Sequence, residues 1–151
     1  MKVGLISSSG GHWEELMCLS KLDEKYEVFY VTEKGGQSQE TTVSPVYEVN
    51  QINRHEKKFL NNFLKLVINA WGILKEEKPD VVITTGALMS YPFCLLTKLK
   101  GGKVIYIESF ARVHNKSLTG RLVYPFADLF LVQWEEMKCI YPKAEFLGSI
   151  F

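Results

Sequence analysis

Short apolar runs alternate along the chain with longer segments whose apolar positions recur at helical spacing. The short runs predict strands over residues 2–7, 26–32, 45–49, 81–83, 103–107, 129–132 and 145–147. The helical spacing predicts helices over residues 13–25, 56–77, 88–99, 117–124 and 135–141. Strands that alternate with helices predict an α/β fold, a doubly wound, mostly parallel, Rossmann-like sheet with right-handed crossovers.

The length of the chain, 151 residues, is close to the commonest size of one domain. No low-complexity segment or linker interrupts the alternation of strands and helices, so we expect a single domain over residues 1–151. The polar stretch of residues 33–44 contains Gly35 and Gly36 and predicts a mobile loop.

Charge and cysteine content exclude several classes of protein. A formal net charge of +1 with 23% charged residues gives no case for a nucleic-acid partner. Cys18, Cys94 and Cys139 are far apart in apolar contexts, which favours reduced thiols and a cytoplasmic location over disulfides or a zinc site. The uncharged stretch of residues 81–97 contains Gly86 and Pro92, so it is a poor membrane span. Without an Asp-x-Asp cluster we predict neither a metal ion nor a cofactor.

Three unusual loops follow predicted strands, over residues 7–12, 84–87 and 108–115. Ligands of open parallel sheets bind outside the carboxyl ends of the strands. If the strand order is 3-2-1-4-5, the first, fourth and fifth strands are neighbours, and the three loops meet at one crevice. The first loop suits an anion, because its glycines let the backbone approach closely and a helix amino end follows.

Two polar residues of these loops are candidates for chemistry. Glu108 ends an otherwise apolar strand, and a carboxylate near a core normally needs a partner or a task. Arg112 is a possible partner, which leaves a purely structural ion pair as an equal alternative. His12 alone is weak evidence, and a glycine turn after a first strand also occurs for helix packing alone.

A dinucleotide-dependent oxidoreductase is an alternative from another class, because Glu33 lies at the end of the second predicted strand, where a ribose-binding acid is found. The glycine fingerprint does not fit, however. Overlaying G-x-G-x-x-G on residues 7–12 places Ser7, Ser9 and His12 where glycines are required.

Spaced motifs in one order carry a resemblance that covers nearly the whole chain. They are SSGGH at residues 8–12, PDVVITTG at 79–86, YIESFARV at 106–113, DLFLVQW at 128–134 with YPK at 141–143, and LG at 147–148. In these the chain resembles the family of bacterial capsular and exopolysaccharide proteins of the CpsF and PssD type and eukaryotic asparagine-linked glycosylation protein 14. It more distantly resembles the acceptor domain of MurG.

The resemblance implies one GT-B half-domain that is the acceptor- and membrane-binding subunit of a two-protein glycosyltransferase. A separate subunit would bind the nucleotide-sugar donor. The acceptor would be an undecaprenyl-diphosphate-linked saccharide in capsular or exopolysaccharide synthesis, at the inner face of the bacterial cell membrane. The alternative is a non-catalytic scaffold or enhancer of a separate glycosyltransferase.

The motifs also imply roles for individual residues. His12 is the preferred general base, with Glu108 as the other candidate or as the group that orients the acceptor. Acceptor and phosphate contacts are expected from the hydroxyls, backbone amides and polar side chains of Ser8, Ser9, Gly10, Gly11, Gly86, Arg112 and Asn115.

Membrane contact is expected from the segment of residues 54–74, where basic and aromatic side chains are interleaved. The basic residues are Arg54, Lys57, Lys58 and Lys65, and the aromatic ones are Phe59, Phe63 and Trp71. Of these we expect Lys57, Lys58, Phe63 and Trp71 to touch anionic headgroups and the membrane interface. An ordinary core helix with solvated lysines fits the pattern equally well. No anchor precedes the first strand, so attachment is expected to be peripheral or through the partner.

Overall fold

A computed structural model of the chain describes residues 1–35, 44–53 and 55–151; Arg54 and residues 36–43 of the predicted loop lie outside the described residues. Within these residues the strands are β1 Lys2–Ile6, β2 Glu27–Glu33, β3 Val46–Val49, β4 Val81–Thr84, β5 Lys103–Ile107, β6 Leu129–Val132 and β7 Glu145–Phe146. They form one sheet in the order β3-β2-β1-β4-β5-β6-β7, and all neighbouring pairs are parallel. The predicted fold class and the order of the first five strands are confirmed.

Four α-helices and three 3₁₀ segments connect the described strands. The α-helices are α1 Gly11–Met17, α2 Phe59–Glu77, α3 Tyr91–Leu99 and α4 Leu118–Val123. The 3₁₀ segments are Ser20–Glu24, Leu88–Ser90 and Glu135–Cys139.

The continuous helices predicted over residues 13–25, 88–99 and 135–141 are therefore wrong in part. After α1 ends, Ser20 and Asp23 favour turns over helix interiors, and the chain tightens into 3₁₀ geometry. Pro92 lies at the start of α3 and suits the first turn of a helix better than its interior. At the third segment, Pro142 disfavours helical geometry at the residue before it.

The two faces of the sheet are covered unequally. Leu66, Ala70 and Leu74 of α2 join the larger core cluster, together with residues of α3 and α4. The opposite face has a smaller cluster, to which α1 contributes Trp13 and Leu16. Because β1, β4 and β5 are neighbours in the sheet, the loops that follow them emerge side by side.

Candidate functional site

The loops that follow β1 and β4 are joined by reciprocal hydrogen bonds. His12 Nδ1 lies 2.9 Å from the carbonyl oxygen of Thr85, and Thr85 Oγ1 donates to the carbonyl oxygen of His12 at 2.7 Å. Gly86 follows with φ of 117°, and an added Cβ there would lie 3.2 Å from both His12 Cε1 and Tyr106 Oη. Glycine at this position therefore lets the two loops close on each other.

The contact with Thr85 determines which nitrogen of His12 can act as a base. A carbonyl oxygen can only accept a hydrogen bond, so Nδ1 must carry the proton. In the neutral imidazole Nε2 is then left with its lone pair free to accept a proton. His12 is half-buried and lines a pocket, so the ring is held in place without being removed from solvent.

This pocket has a volume of about 300 Å³ and opens at the carboxyl ends of the strands. It is lined by His12, Ala87, Leu88, Tyr106, Ser109, Ala111, Arg112, Ser117, Leu118 and Thr119. Arg112 is exposed and forms no ion pair with any residue that the structure describes. The pocket thus combines a histidine whose Nε2 is free to accept a proton, several hydroxyls and a guanidinium that pairs with no described residue.

Glu108 lies just outside the pocket lining and is only 1% exposed. Its Oε2 accepts from Tyr141 Oη at 2.8 Å, from Ser117 Oγ at 3.1 Å and from Ser117 N at 3.3 Å. Its Oε1 accepts from the backbone N of Ser109 at 3.2 Å. The ion pair with Arg112 that the sequence suggested does not form between these described residues, because neutral donors already occupy the carboxylate.

A chain of hydroxyls links this buried carboxylate to the pocket. Tyr106 Oη and Ser117 Oγ are 3.1 Å apart, and Ser117 Oγ in turn donates to Glu108. Burial and the negative charge of Glu108 hold the pKa of Tyr106 well above its usual value, so Tyr106 presents a neutral hydroxyl. Burial and Glu108 likewise raise the pKa of Tyr141, although Arg121 and Arg112 act in the opposite direction.

Sequence reasoning missed Tyr106, Ser117 and Gly120, a glycine that packs against Ser117, Glu108 and Tyr141. Ser117 caps α4 by accepting from Gly120 N at 2.8 Å, and a serine before a helical run is a recognisable capping signal. A Cβ on Gly120 would collide with Glu108 Oε2 and lie 2.7 Å from Tyr141 Oη. No sequence pattern shows that a helical glycine faces a buried carboxylate.

The other residues predicted for phosphate contact lie around this site without lining its pocket. Ser8 and Ser9 are half-buried, and Gly10, Gly11 and Asn115 are exposed. The helix that follows the glycines has only seven residues, since α1 ends at Met17. The positive end of its dipole is therefore weaker than a helix to residue 25 would provide.

Comparison with known proteins identifies the family. Residues 3–150 match the family model described as "Oligosaccharide biosynthesis protein Alg14 like". The chain belongs to this Alg14-like family. It is 42% identical over 87 residues to the UDP-N-acetylglucosamine transferase subunit alg14 of Schizosaccharomyces pombe, an alignment covering 54% of this chain and 39% of that protein. It is 27% identical over 180 aligned residues to the corresponding subunit of Mus musculus, covering 99% of this chain and 83% of the mouse protein.

Solved structures place the Alg14-like chain in the GT-B fold. MurG of Acinetobacter baumannii superposes with a TM-score of 0.77 at 18% identity, covering 98% of this chain and 45% of MurG. A UDP-GlcNAc 2-epimerase of Methanocaldococcus jannaschii gives 0.72 at 18% identity, covering 99% of this chain and 46% of the epimerase. The chain thus spans slightly less than half of these proteins and has the fold of one GT-B half-domain.

The surface of α2 differs from the expectation for membrane contact in one residue. Trp71 is 50% exposed, and Lys57 and Lys58 just before the helix are exposed. Phe63, by contrast, is half-buried and packs against the core. The reason is that it lies one helical turn before Leu66 on the stripe that faces the sheet.

Other apolar side chains of α2 in this Alg14-like chain are exposed instead. Leu60, Leu64 and Ile68 are 76%, 59% and 61% exposed, and with Trp71 they form one stripe along α2. We call these four residues the α2 stripe. Lys100 Nζ lies 4.2 Å from the centroid of the Trp71 ring, which adds a cation beside the stripe. None of the helices among the described residues is long and apolar enough to cross a bilayer.

Proposed function

We propose that this chain is the acceptor- and membrane-binding subunit of a two-protein glycosyltransferase whose partner binds the nucleotide-sugar donor. The observation that carries the proposal is the pocket at the carboxyl ends of the strands. Its lining includes both His12 and Arg112, and the guanidinium pairs with no described residue. The relatives from fission yeast and mouse are named as subunits of a UDP-N-acetylglucosamine transferase. That name supports a transferase which works with a second protein.

The acceptor we propose is a saccharide linked to a lipid diphosphate. Arg112 offers a planar fork of donors for phosphate oxygens. Exposed backbone amides of Gly10 and Gly11, the hydroxyls of Ser8 and Ser9, the close approach allowed by Gly86 and the amide of Asn115 are the further proposed contacts. An undecaprenyl carrier, a capsular or exopolysaccharide product and the inner face of a bacterial membrane remain parts of the proposal.

In the proposed reaction His12 acts as the general base. Its Nε2 accepts the proton of an acceptor hydroxyl, and that oxygen attacks the anomeric carbon of the donor sugar. The bond between this carbon and the nucleotide diphosphate breaks, so the diphosphate leaves with the bonding electrons and the configuration inverts. The hydrogen bond from Nδ1 to Thr85 stabilises the imidazolium that forms.

Glu108 has a less direct part in this proposal. It is buried and occupied by four donors, so a substrate hydroxyl has no access to its carboxylate in this conformation. Its charge instead orients the hydroxyls of Ser117 and Tyr106, which border the pocket. We therefore propose that Glu108 orients the acceptor through these two hydroxyls.

The base is tested by coexpression of the chain with its donor-binding partner and measurement of sugar transfer to a membrane acceptor. His12→Ala should lower kcat by roughly 10²- to 10⁴-fold, the usual contribution of a general base. His114→Ala is the matched control, because His114 is exposed in the loop after β5 and does not line the pocket. Full activity of His12→Ala would remove His12 from the mechanism. A partner that transfers sugar equally well alone would favour the scaffold alternative.

Membrane contact is proposed through the α2 stripe, with Lys57 and Lys58 at its amino end. Burying an aliphatic side chain contributes about 2 kcal/mol, so each residue of the stripe should matter for binding to vesicles. Leu64→Ala with Ile68→Ala should weaken flotation with phosphatidylserine vesicles at least about tenfold. Leu147→Ala is the control, an equally apolar residue that is 74% exposed elsewhere. Unchanged flotation of the double variant would assign the stripe to a protein partner.

A further inference from the structure

A second buried carboxylate, Glu15, lies behind the pocket and has no role in the proposed reaction. It is 5% exposed, three residues after His12 on α1. Its Oε1 accepts from Ser109 Oγ at 2.9 Å and from the backbone N of Phe110 at 3.1 Å. Its Oε2 accepts from Gln133 Nε2 at 3.2 Å. One side chain of α1 thus holds the loop after β5 and the end of β6.

The orientation of the Gln133 amide is fixed by its other contacts. Its Nε2 also donates to the carbonyl oxygen of Glu108 at 3.1 Å, and its Oε1 accepts from Ile150 N at 3.0 Å. If the amide were reversed, nitrogen would face the N–H of Ile150 and oxygen would face a carbonyl. Gln133 must therefore present a donor to Glu15, and only an acceptor at position 15 satisfies it.

The contacts of Glu15 lead directly to Arg112. Ser109 lines the pocket, and its carbonyl oxygen accepts from the backbone N of Arg112 at 2.9 Å. Ser109 Oγ, which donates to Glu15, also lies 3.4 Å from the N of Ala111 as an acceptor. By holding Ser109 in place, Glu15 therefore also holds the turn that carries the Arg112 side chain.

The burial of the Glu15 carboxylate is also not what a merely structural contact requires. No lysine or arginine of the described residues pairs with it, and burial raises its pKa even though its hydrogen bonds and His12 act in the opposite direction. An unpaired buried charge costs stability, and a neutral side chain would join a helix to a loop with less cost.

We propose that Glu15 is a positioning residue that holds the Ser109–Arg112 turn at a fixed distance from His12, so that base and guanidinium engage one acceptor. This rests on the proposed function of the pocket. In the proposed function, Arg112 binds the diphosphate of the acceptor. Loss of Glu15 should therefore weaken binding of this diphosphate by Arg112.

The test is Glu15→Gln in the full chain, with Glu14→Gln as control. Gln keeps the shape, but its amide cannot accept from Ser109, Phe110 and Gln133 together. Glu14 is the neighbouring acid on the same helix and is exposed. With the partner present, Glu15→Gln should raise the KM for the lipid-linked acceptor about tenfold and leave kcat within about threefold, while Glu14→Gln changes neither.

Two measurements on the free chain make the result independent of transfer. In ¹⁵N-labelled protein, Glu15→Gln should shift the amide resonances of Phe110 and Arg112, and it should weaken binding of inorganic pyrophosphate about tenfold. Unmoved resonances, or an unchanged acceptor KM, would overturn the positioning role. Pyrophosphate that fails to bind even the wild type, together with a fully active His12→Ala, would instead overturn the function of the pocket.

Discussion

At the amino ends of the strands, carboxylates pair with lysines, whereas the buried Glu15 and Glu108 at the carboxyl ends form no ion pair with a described residue. Lys2 of β1 contacts both Glu27 and the buried Glu77. Lys103 of β5 and Lys98 of α3 both contact Asp128, at 3.1 and 2.8 Å. The pairs of Lys2 with Glu27 and of Lys103 with Asp128 join the starts of neighbouring strands, and the other two pairs add residues of α2 and α3.

Near the carboxyl ends, two buried acids and two exposed arginines of the described residues form no ion pairs with one another. Among the described residues, the donors to Glu15 and Glu108 are hydroxyls, amides and backbone N–H groups. Arg112 and Arg121 are exposed near the pocket and form no ion pair with a described residue. Since the acids are satisfied by neutral donors, they do not neutralise these arginines, which is why we propose the arginine at position 112 as a contact for an anionic ligand. The contrast separates charges that pair within the fold from charges that, under the proposed function, bind an anionic ligand.

The largest effect should come from Gly120→Ala, which disturbs the neutral donors around Glu108. The new methyl would collide with Glu108 Oε2 and lie 2.8 Å from Ser117 Oγ, so we expect a loss of roughly 2–4 kcal/mol in the free energy of unfolding by urea. Gly72→Ala in α2 is the control, because an added Cβ there meets nothing within 4 Å. That variant should gain up to about 1 kcal/mol from helix propensity. Equal stability of the two variants would mean that the cluster is not tightly packed.

The second comparison removes one cation from the carboxyl ends of the strands and one from the amino ends. Arg112→Ala should weaken pyrophosphate binding about tenfold, by isothermal titration at fixed low salt, and leave stability unchanged. Lys103→Ala should do the reverse, with unchanged binding and a stability loss below about 1 kcal/mol, because its ion pair is exposed. If both variants bind pyrophosphate equally weakly, the anion responds to overall charge and not to the pocket.

The common strand order that we assumed for the first five strands was correct, and it predicted the meeting of two loops. Continuous apolar strands that alternate with helices leave few topologies, and the common strand order already places residues 7–12 beside residues 84–87. The hydrogen bonds between His12 and Thr85 realise that expectation. The resemblance to the Alg14 family was confirmed by the match over residues 3–150.

The partners of the buried acids could not be predicted, because they depend on distances between residues far apart in the chain. Tyr141 reaches Glu108 across 33 positions, and Gln133 reaches Glu15 across 118. The sequence suggested the nearby Arg112 as the ion-pair partner of Glu108, but the two side chains form no ion pair. On α2 apolar residues occupy two stripes, and periodicity alone does not decide that Leu66 faces the sheet and Leu64 faces solvent.

Asp128→Asn tests the ion pairs at the amino ends through their pH dependence. Burial would raise the pKa of Asp128, but hydrogen bonds from Lys98, Val104 N and Lys103 lower it to about 2. A depressed pKa in the folded state stabilises the protein above the unfolded value, about 4, and this contribution is lost as the pH falls towards 2. Asp128→Asn should thus cost on the order of 1 kcal/mol at pH 7, allowing for solvent screening, and nearly nothing near pH 2. A cost independent of pH would mean that the lost hydrogen bonds, and not the charge, matter.

Glu33→Gln, at the carboxyl end of β2, should change the stability in the opposite direction to Asp128→Asn. Burial raises the pKa of Glu33, against one long hydrogen bond of 3.5 Å from Ile52 N. When the folded pKa is raised, the acid imposes no penalty below the unfolded pKa, and ionisation destabilises the folded state as the pH rises above it. Gln still accepts from Ile52 N, so Glu33→Gln should stabilise the protein at pH 8 by less than about 1 kcal/mol and have no effect near pH 3. Glu24→Gln, at an exposed acid, should change nothing. If Glu33→Gln instead destabilises the protein at pH 8, its carboxylate has a charged partner, and the contrast between the two ends does not extend to β2.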